Sequence, residues 1–155
     1  MENDRKLLNI QEFLPYQLVS LSTKVSNDFA QVYEQQGQLT QPQWRTLSHT
    51  IHHQGITARA ICDLANMDKS TVSRAIKQLQ QRGLVALSEN SQDKRAKLVV
   101  ATAEGMELYR LLTPLARQWE TLLLDCFTTE QKAQFAQLLA ILDGKLAKQE
   151  QKRPT

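Results

Sequence analysis

The chain has 155 residues, 41% of them hydrophobic, with two cysteines and a net charge of +3. That suits one cored domain or a small domain plus an assembly element, and it excludes a disulfide framework and a helical membrane span. The excess positive charge sits in residues 55–100, where 8 Lys/Arg stand against 4 Asp/Glu, a footprint suited to a polyanion.

Gly and Pro are scarce while Leu, Gln, Ala and Lys are common, which favours helix. Leu14, Leu18, Leu21, Val25, Phe29 and Val32 recur at steps of three or four, with Pro15 in the first turn. They predict a helix ending near Gln36-Gly37. Thr40-Gln41-Pro42-Gln43 is a T-x-x-Q capping box that opens a second helix over about 41–53, with Gly55 as the left-handed residue past its end. Thr57 caps a short third helix over 58–65, with Ile56 stapled to Ile61. Asn66-Met67 is a tight turn, and Asp68 caps a fourth helix over 69–82, which ends at Gly83. Residues 84–87 and 97–101 read as the two strands of a hairpin with a polar tip at 88–96. Thr102 caps a long helix to about Cys126, in which Pro114 should mark a kink or a broken turn. Thr128-Thr129-Glu130-Gln131 opens a last helix through Phe135, Leu138, Leu139, Leu142 and Leu146. The predicted fold is mainly α with a small β-hairpin.

The fourth helix carries two chemistries. Val72, Ala75, Ile76 and Leu79 form an apolar stripe, and Lys69, Ser70, Ser73, Arg74, Lys77 and Gln78 on the other face supply donors and acceptors. No acidic residue lies between Lys69 and Ser88. A helix of this kind fits a major groove, whose base edges need such groups. The hairpin tip adds Asp93, Lys94, Arg95 and Lys97. An arginine there can enter a minor groove, where the potential is most negative, and Asp93 could orient its guanidinium through a bidentate pair. Helix, turn, helix, strand, basic tip and strand together form a winged helix-turn-helix.

The segments "WRTL", "KSTVSRAIKQLQQRGLV" and "SQDKRAKLVVATAEG" resemble the MarR family of bacterial transcription regulators. In the last segment Asp93, Arg95, Leu98, Thr102 and Gly105 match the family's wing signature, and by position the resemblance implies that Ser70, Thr71, Ser73 and Arg74 belong to the recognition helix and that Arg95 is the wing arginine. The resemblance implies one MarR-type domain over 1–155. Its winged helix-turn-helix spans 38–105, and dimerisation helices span 7–37 and 106–148. It implies a homodimer on a pseudo-palindromic operator of double-stranded DNA, acting as a repressor that a small, often aromatic, effector releases. Two positions depart from the pattern: Leu87 stands where an arginine is common, and Ala101 where leucine is common. The three apolar helical stripes also argue for a dimer, since a module of this size cannot cover them all.

Tyr16, Trp44, His49 and His53 are candidates for lining an effector pocket. The histidines lack a neighbouring carboxylate or cysteine in sequence, so no metal site is expected, and no cofactor. Cys62 and Cys126 read as small buried hydrophobes. The absence of a phosphate loop, nucleophile elbow or paired carboxylates argues against an enzyme. The N-terminus lacks the layout of a signal peptide, and the expected location is cytoplasmic, on the nucleoid. Two other readings stand beside the operator-specific regulator: a non-specific architectural DNA-binding protein, and a cysteine-based redox-sensing regulator.

Overall fold

A computed structural model describes residues 7–91, 93 and 95–150. The chain divides into two compact units, Met1–Ala116 and Arg117–Thr155.

In the first unit a single 3-10 turn at Ile10–Glu12 precedes α1 (Leu14–Gly37) and α2 (Gln41–His52). There follow β1 (Ile56–Thr57), α3 (Ala58–Ala65), α4 (Lys69–Gln81), β2 (Val85–Glu89) and β3 (Lys97–Ala101). The long helix α5 (Ala103–Leu123) crosses the unit boundary, and α6 (Thr129–Glu150) lies in the second unit. The architecture is mainly helical with a small antiparallel sheet, as the sequence predicts.

Local signals set most helix starts. Thr40 and Gln43 form the reciprocal capping box, Thr57 accepts from Ala60 N–H, and Asp68 accepts from Thr71 N–H. Each bond satisfies a backbone donor that the first helical turn leaves without an internal partner. Thr128 and Gln131 make the second box: Thr128 N–H donates to Gln131 Oε1 at 2.9 Å, and Gln131 N–H donates to Thr128 Oγ1 at 3.2 Å.

The sheet differs from a simple hairpin. Its order is β1-β3-β2, so the two residues of β1 add a third strand through Ile56 opposite Val99 and Thr57 opposite Leu98. Two residues carry too little alternation to be read as a strand, and only their pairing with β3 defines them. The strand expected at 84–87 lies at Val85–Glu89, because pairing with β3 continues to Glu89 opposite Lys97. Two helix ends also differ. The left-handed backbone past α2 begins at Gln54 (φ 53°) before Gly55 (φ 118°). α5 ends at Leu123, short of Cys126, and continues through Pro114.

The core of the first unit gathers Leu47, Ile61, Val72, Leu79, Val99 and Leu112, each at most 1% exposed. Ile56 and Ile61 both join it, as a hydrophobic staple requires. It is this burial of Val72, Ala75, Ile76 and Leu79 that orients α4 and turns its polar face outward.

Candidate nucleic-acid interface

The outward face of α4 presents Lys69, Ser70, Ser73, Arg74, Lys77 and Gln78 as exposed side chains, while Thr71 is half-buried at its flank. Several of these side chains have internal partners, among them Arg74, whose Nε donates to Ser70 O at 3.4 Å. Thr71 Oγ1 donates to Asp68 Oδ2 at 2.6 Å, so its proton serves the helix cap. Gln78 Oε1 accepts from Gln43 Nε2 at 2.9 Å. The hydroxyl and backbone N–H of Thr71 hold the Asp68 carboxyl far below the usual carboxylate range, so α4 begins on an anionic cap. A surface recess between the start of α2 and α4 is lined by Thr40, Pro42, Thr71, Arg74, Ala75 and Gln78.

The wing is the β2–β3 hairpin. At its tip Ala96 N–H donates to Asp93 O at 3.1 Å, closing a turn. Asp93 Oδ1 accepts the backbone N–H of Arg95 at 2.9 Å. The carboxylate therefore shapes the turn rather than forking the Arg95 guanidinium, which corrects the expected bidentate pair. An Asp can reach the N–H two residues on without ordering a long side chain, so the turn wins. Arg95 and Lys97 are exposed, and Lys94 lies outside the described residues. Leu87, where the arginine was expected, is 44% exposed and faces Val99 across the strands.

The base of the wing is anchored to α5. Thr102 Oγ1 donates to Gly83 O at 2.6 Å and accepts from Gly105 N–H at 3.0 Å. Thr102 N–H donates to Leu84 O at 3.1 Å. A Cβ on Gly105 would stand 2.0 Å from Leu84 O, so only glycine allows this approach. The Thr and Gly of the wing signature are thus a clamp joining the end of α4, β2 and α5.

Three residues whose long-range bonds sequence reasoning missed tie α1, α2, α3 and α4 together. Gln43 is buried and links α2 to α4. Arg45 Nη1 donates to Ala65 O at 3.4 Å, at the C-terminus of α3. Arg82 donates to Gln38 O at 2.8 Å and Gly37 O at 2.9 Å, at the C-terminus of α1. Their polar type was visible in the sequence, but their partners lie 20 to 45 residues away.

The candidate effector residues separate into three places. Trp44 stacks between Tyr33 (5.8 Å between ring centroids) and Tyr109 (5.4 Å), with Phe29 edge-on at 5.7 Å. His49 and His53 stack at 6.2 Å, and His52 meets His53 at 5.1 Å. Tyr16 is 47% exposed in the first turn of α1. Burial and the neighbouring His53, His52 and Arg45 hold His49 below its ordinary value. Among the described residues no group of three or more His, Cys, Asp or Glu could hold a metal ion. Cys62 is half-buried against the core, whereas Cys126 is exposed rather than buried, beyond the end of α5.

Comparison with known proteins agrees with this architecture. A model of the MarR family matches residues 38–96, from the start of α2 to the wing tip. The HTH-type transcriptional regulator YybA of Bacillus subtilis is 29% identical over 101 residues, which cover 65% of this chain and 67% of YybA. The structure of a MarR/EmrR family transcriptional regulator from Acinetobacter sp. ADP1 superposes with a TM-score of 0.80 at 28% identity, covering 91% of this chain and 99% of that one. Bordetella bronchiseptica BpsR, whose DNA binding is regulated by 6-hydroxynicotinic acid, has the same fold with a TM-score of 0.77 at 21% identity, covering 88% and 97% of the two chains. With α4 and its wing assembled as described, residues 38–96 match the MarR family of transcription regulators, and the fold is that of solved MarR-family regulators.

Proposed function

We propose that the protein acts as a homodimeric, operator-specific repressor that inserts α4 into the major groove and the wing tip into the adjacent minor groove. One observation carries this reading. The polar face of α4 and the Arg95 tip are both exposed, and both are fixed to one clamp at Gly83, Leu84, Thr102 and Gly105. A rigid pair of cationic elements suits two successive contacts on one duplex. Fluorescence anisotropy should give tight, salt-sensitive binding to the intergenic DNA beside the protein's own gene. Equal affinity for that DNA and for random DNA would sink the operator-specific reading in favour of an architectural one.

Dimerisation rests on apolar side chains left uncovered in a single chain. Leu14, Leu18 and Leu21 on α1 are 50%, 37% and 52% exposed. On α6, Leu138, Ile141 and Leu146 are 63%, 61% and 51% exposed. Exposed apolar faces on this scale mark an interface. Sedimentation equilibrium should return twice the 17.7 kDa chain mass.

Release by a small aromatic acid is the regulatory part of the proposal. Its support is the Trp44 aromatic stack together with the ligand control named for BpsR, a relative in fold. A thermal-shift screen of aromatic acids tests it, with loss of operator binding as the second readout.

A further inference from the structure

A chain of polarity runs from the backbone into the DNA-facing side of α4. Thr40 N–H donates to Gln43 Oε1 at 2.8 Å. An N–H can only donate, so this bond fixes which end of the Gln43 amide is oxygen and leaves Nε2 at the other end. That Nε2 donates to Gln78 Oε1 at 2.9 Å. The bond in turn draws the carbonyl oxygen of Gln78 inward and leaves its own amino group for the solvent side. Among the described residues no acceptor meets Gln78 Nε2. Gln43 is 7% exposed, so it acts from inside the protein, while Gln78 is exposed and lines the recess with Arg74, a donor-only side chain.

We infer that Gln78 is a DNA contact committed to donating, and that Gln43 is the positioning residue that sets its polarity without touching DNA. The matching group on the duplex is a hydrogen-bond acceptor, either a phosphate oxygen or an acceptor on a base edge. This rests on the proposal that α4 is the reading helix. It adds that the cap of α2 controls what one of the side chains on that helix can recognise.

Gln43→Glu separates polarity from structure. A carboxylate at position 43 still accepts from Thr40 N–H, so the cap survives. It no longer donates, so Gln78 must turn its amino group inward and its oxygen outward. The probe is a duplex selected from a random pool by the wild-type protein, with affinity read by anisotropy. Gln78→Ala and Gln43→Glu should each weaken binding on the order of tenfold, the scale of one or two hydrogen bonds. In the Gln78→Ala background, Gln43→Glu should have no further effect. A purely structural or charge effect of the substitution at position 43 would persist there, and that result overturns the inference. So does a Gln43→Glu or Gln78→Ala variant that binds as tightly as wild type.

Should Gln43→Glu fail to fold, Gln78→Glu decides. It keeps the acceptor for Gln43 but presents a carboxylate outward, so it should bind more weakly than Gln78→Ala; equal or tighter binding overturns the inference. The source of the acceptor separates in the same experiment. Relaxed preference at one base position identifies a base edge, and uniform loss across sequences identifies a phosphate. Arg74→Ala reports on the reading helix itself. If it weakens binding and Gln78→Ala does not, only this inference fails; if neither matters, the placement of α4 on DNA fails with it.

Discussion

The guanidinium of Arg82 caps the carbonyl of Gln38, 44 residues earlier, at 2.8 Å, and reaches Gly37 O at 2.9 Å with its other amino group. The carbonyls at the end of α1 have no partner within the helix, and Gln38 leaves it in the left-handed conformation at φ 49°. Arg82 follows directly on α4. One planar side chain therefore joins the end of the first long helix to the end of the helix proposed to read DNA.

Arg82→Ala should lower stability by about 1–2 kcal/mol, the net worth of hydrogen bonds from a partly exposed charged donor. Arg82→Lys should recover only part, since an ammonium cannot fork across two carbonyls. Urea denaturation measures both. The slope of operator affinity against salt should stay unchanged in Arg82→Ala, because this charge serves carbonyls rather than phosphates.

Gly105→Ala should destabilise by roughly 3 kcal/mol or more, since the new methyl would collide with the backbone of Leu84, which cannot swing away. The opposite sign is expected in the second unit. Gly144 lies inside α6 with nothing within 4 Å of an added Cβ. Gly144→Ala should stabilise by about 0.5–1 kcal/mol through the lower chain entropy of the unfolded state. Thermal melts of the two variants check the pair.

Arg95→Ala should weaken operator binding by about 1–3 kcal/mol if the wing arginine enters a minor groove. Asp93→Asn should keep most of the affinity, because an amide oxygen can still accept the Arg95 N–H. Asp93→Ala should lose part of it by releasing the turn. Were Asp93→Asn as damaging as Arg95→Ala, the carboxylate charge rather than the turn would be what matters.

Acidification should act on His49 before Asp68. The folded state holds the imidazole below its ordinary value, chiefly by burial and then by His53, His52 and Arg45. The unfolded chain, titrating at ~6.5, therefore binds the proton first. The contribution of His49 is complete above that value and is lost as pH falls through the folded one. Asp68 is also depressed, by its Thr71 bonds, so its contribution is present above ~3.9 and lost only in strong acid. The urea midpoint should be flat at neutral pH and fall below about 6.5. His49→Gln should flatten that first decline, and an unchanged decline would assign it elsewhere.

The caps at Thr40, Thr57, Asp68 and Thr128 were legible in the sequence because each joins residues three apart, within a single turn of chain. The apolar stripe of α4 was legible for the same reason, and with it the polar face on the other side. The wing clamp was half legible: Thr102 and Gly105 stood out, but their partners Gly83 and Leu84 appear only once β2 and α5 meet. Tertiary structure alone decided β1, whose two residues become a strand only beside β3. It alone joined Arg82 to Gln38, and it alone joined Gln43 to Gln78. A side chain's chemical type is written locally, but the direction of its hydrogen bonds depends on which distant backbone folding brings within reach.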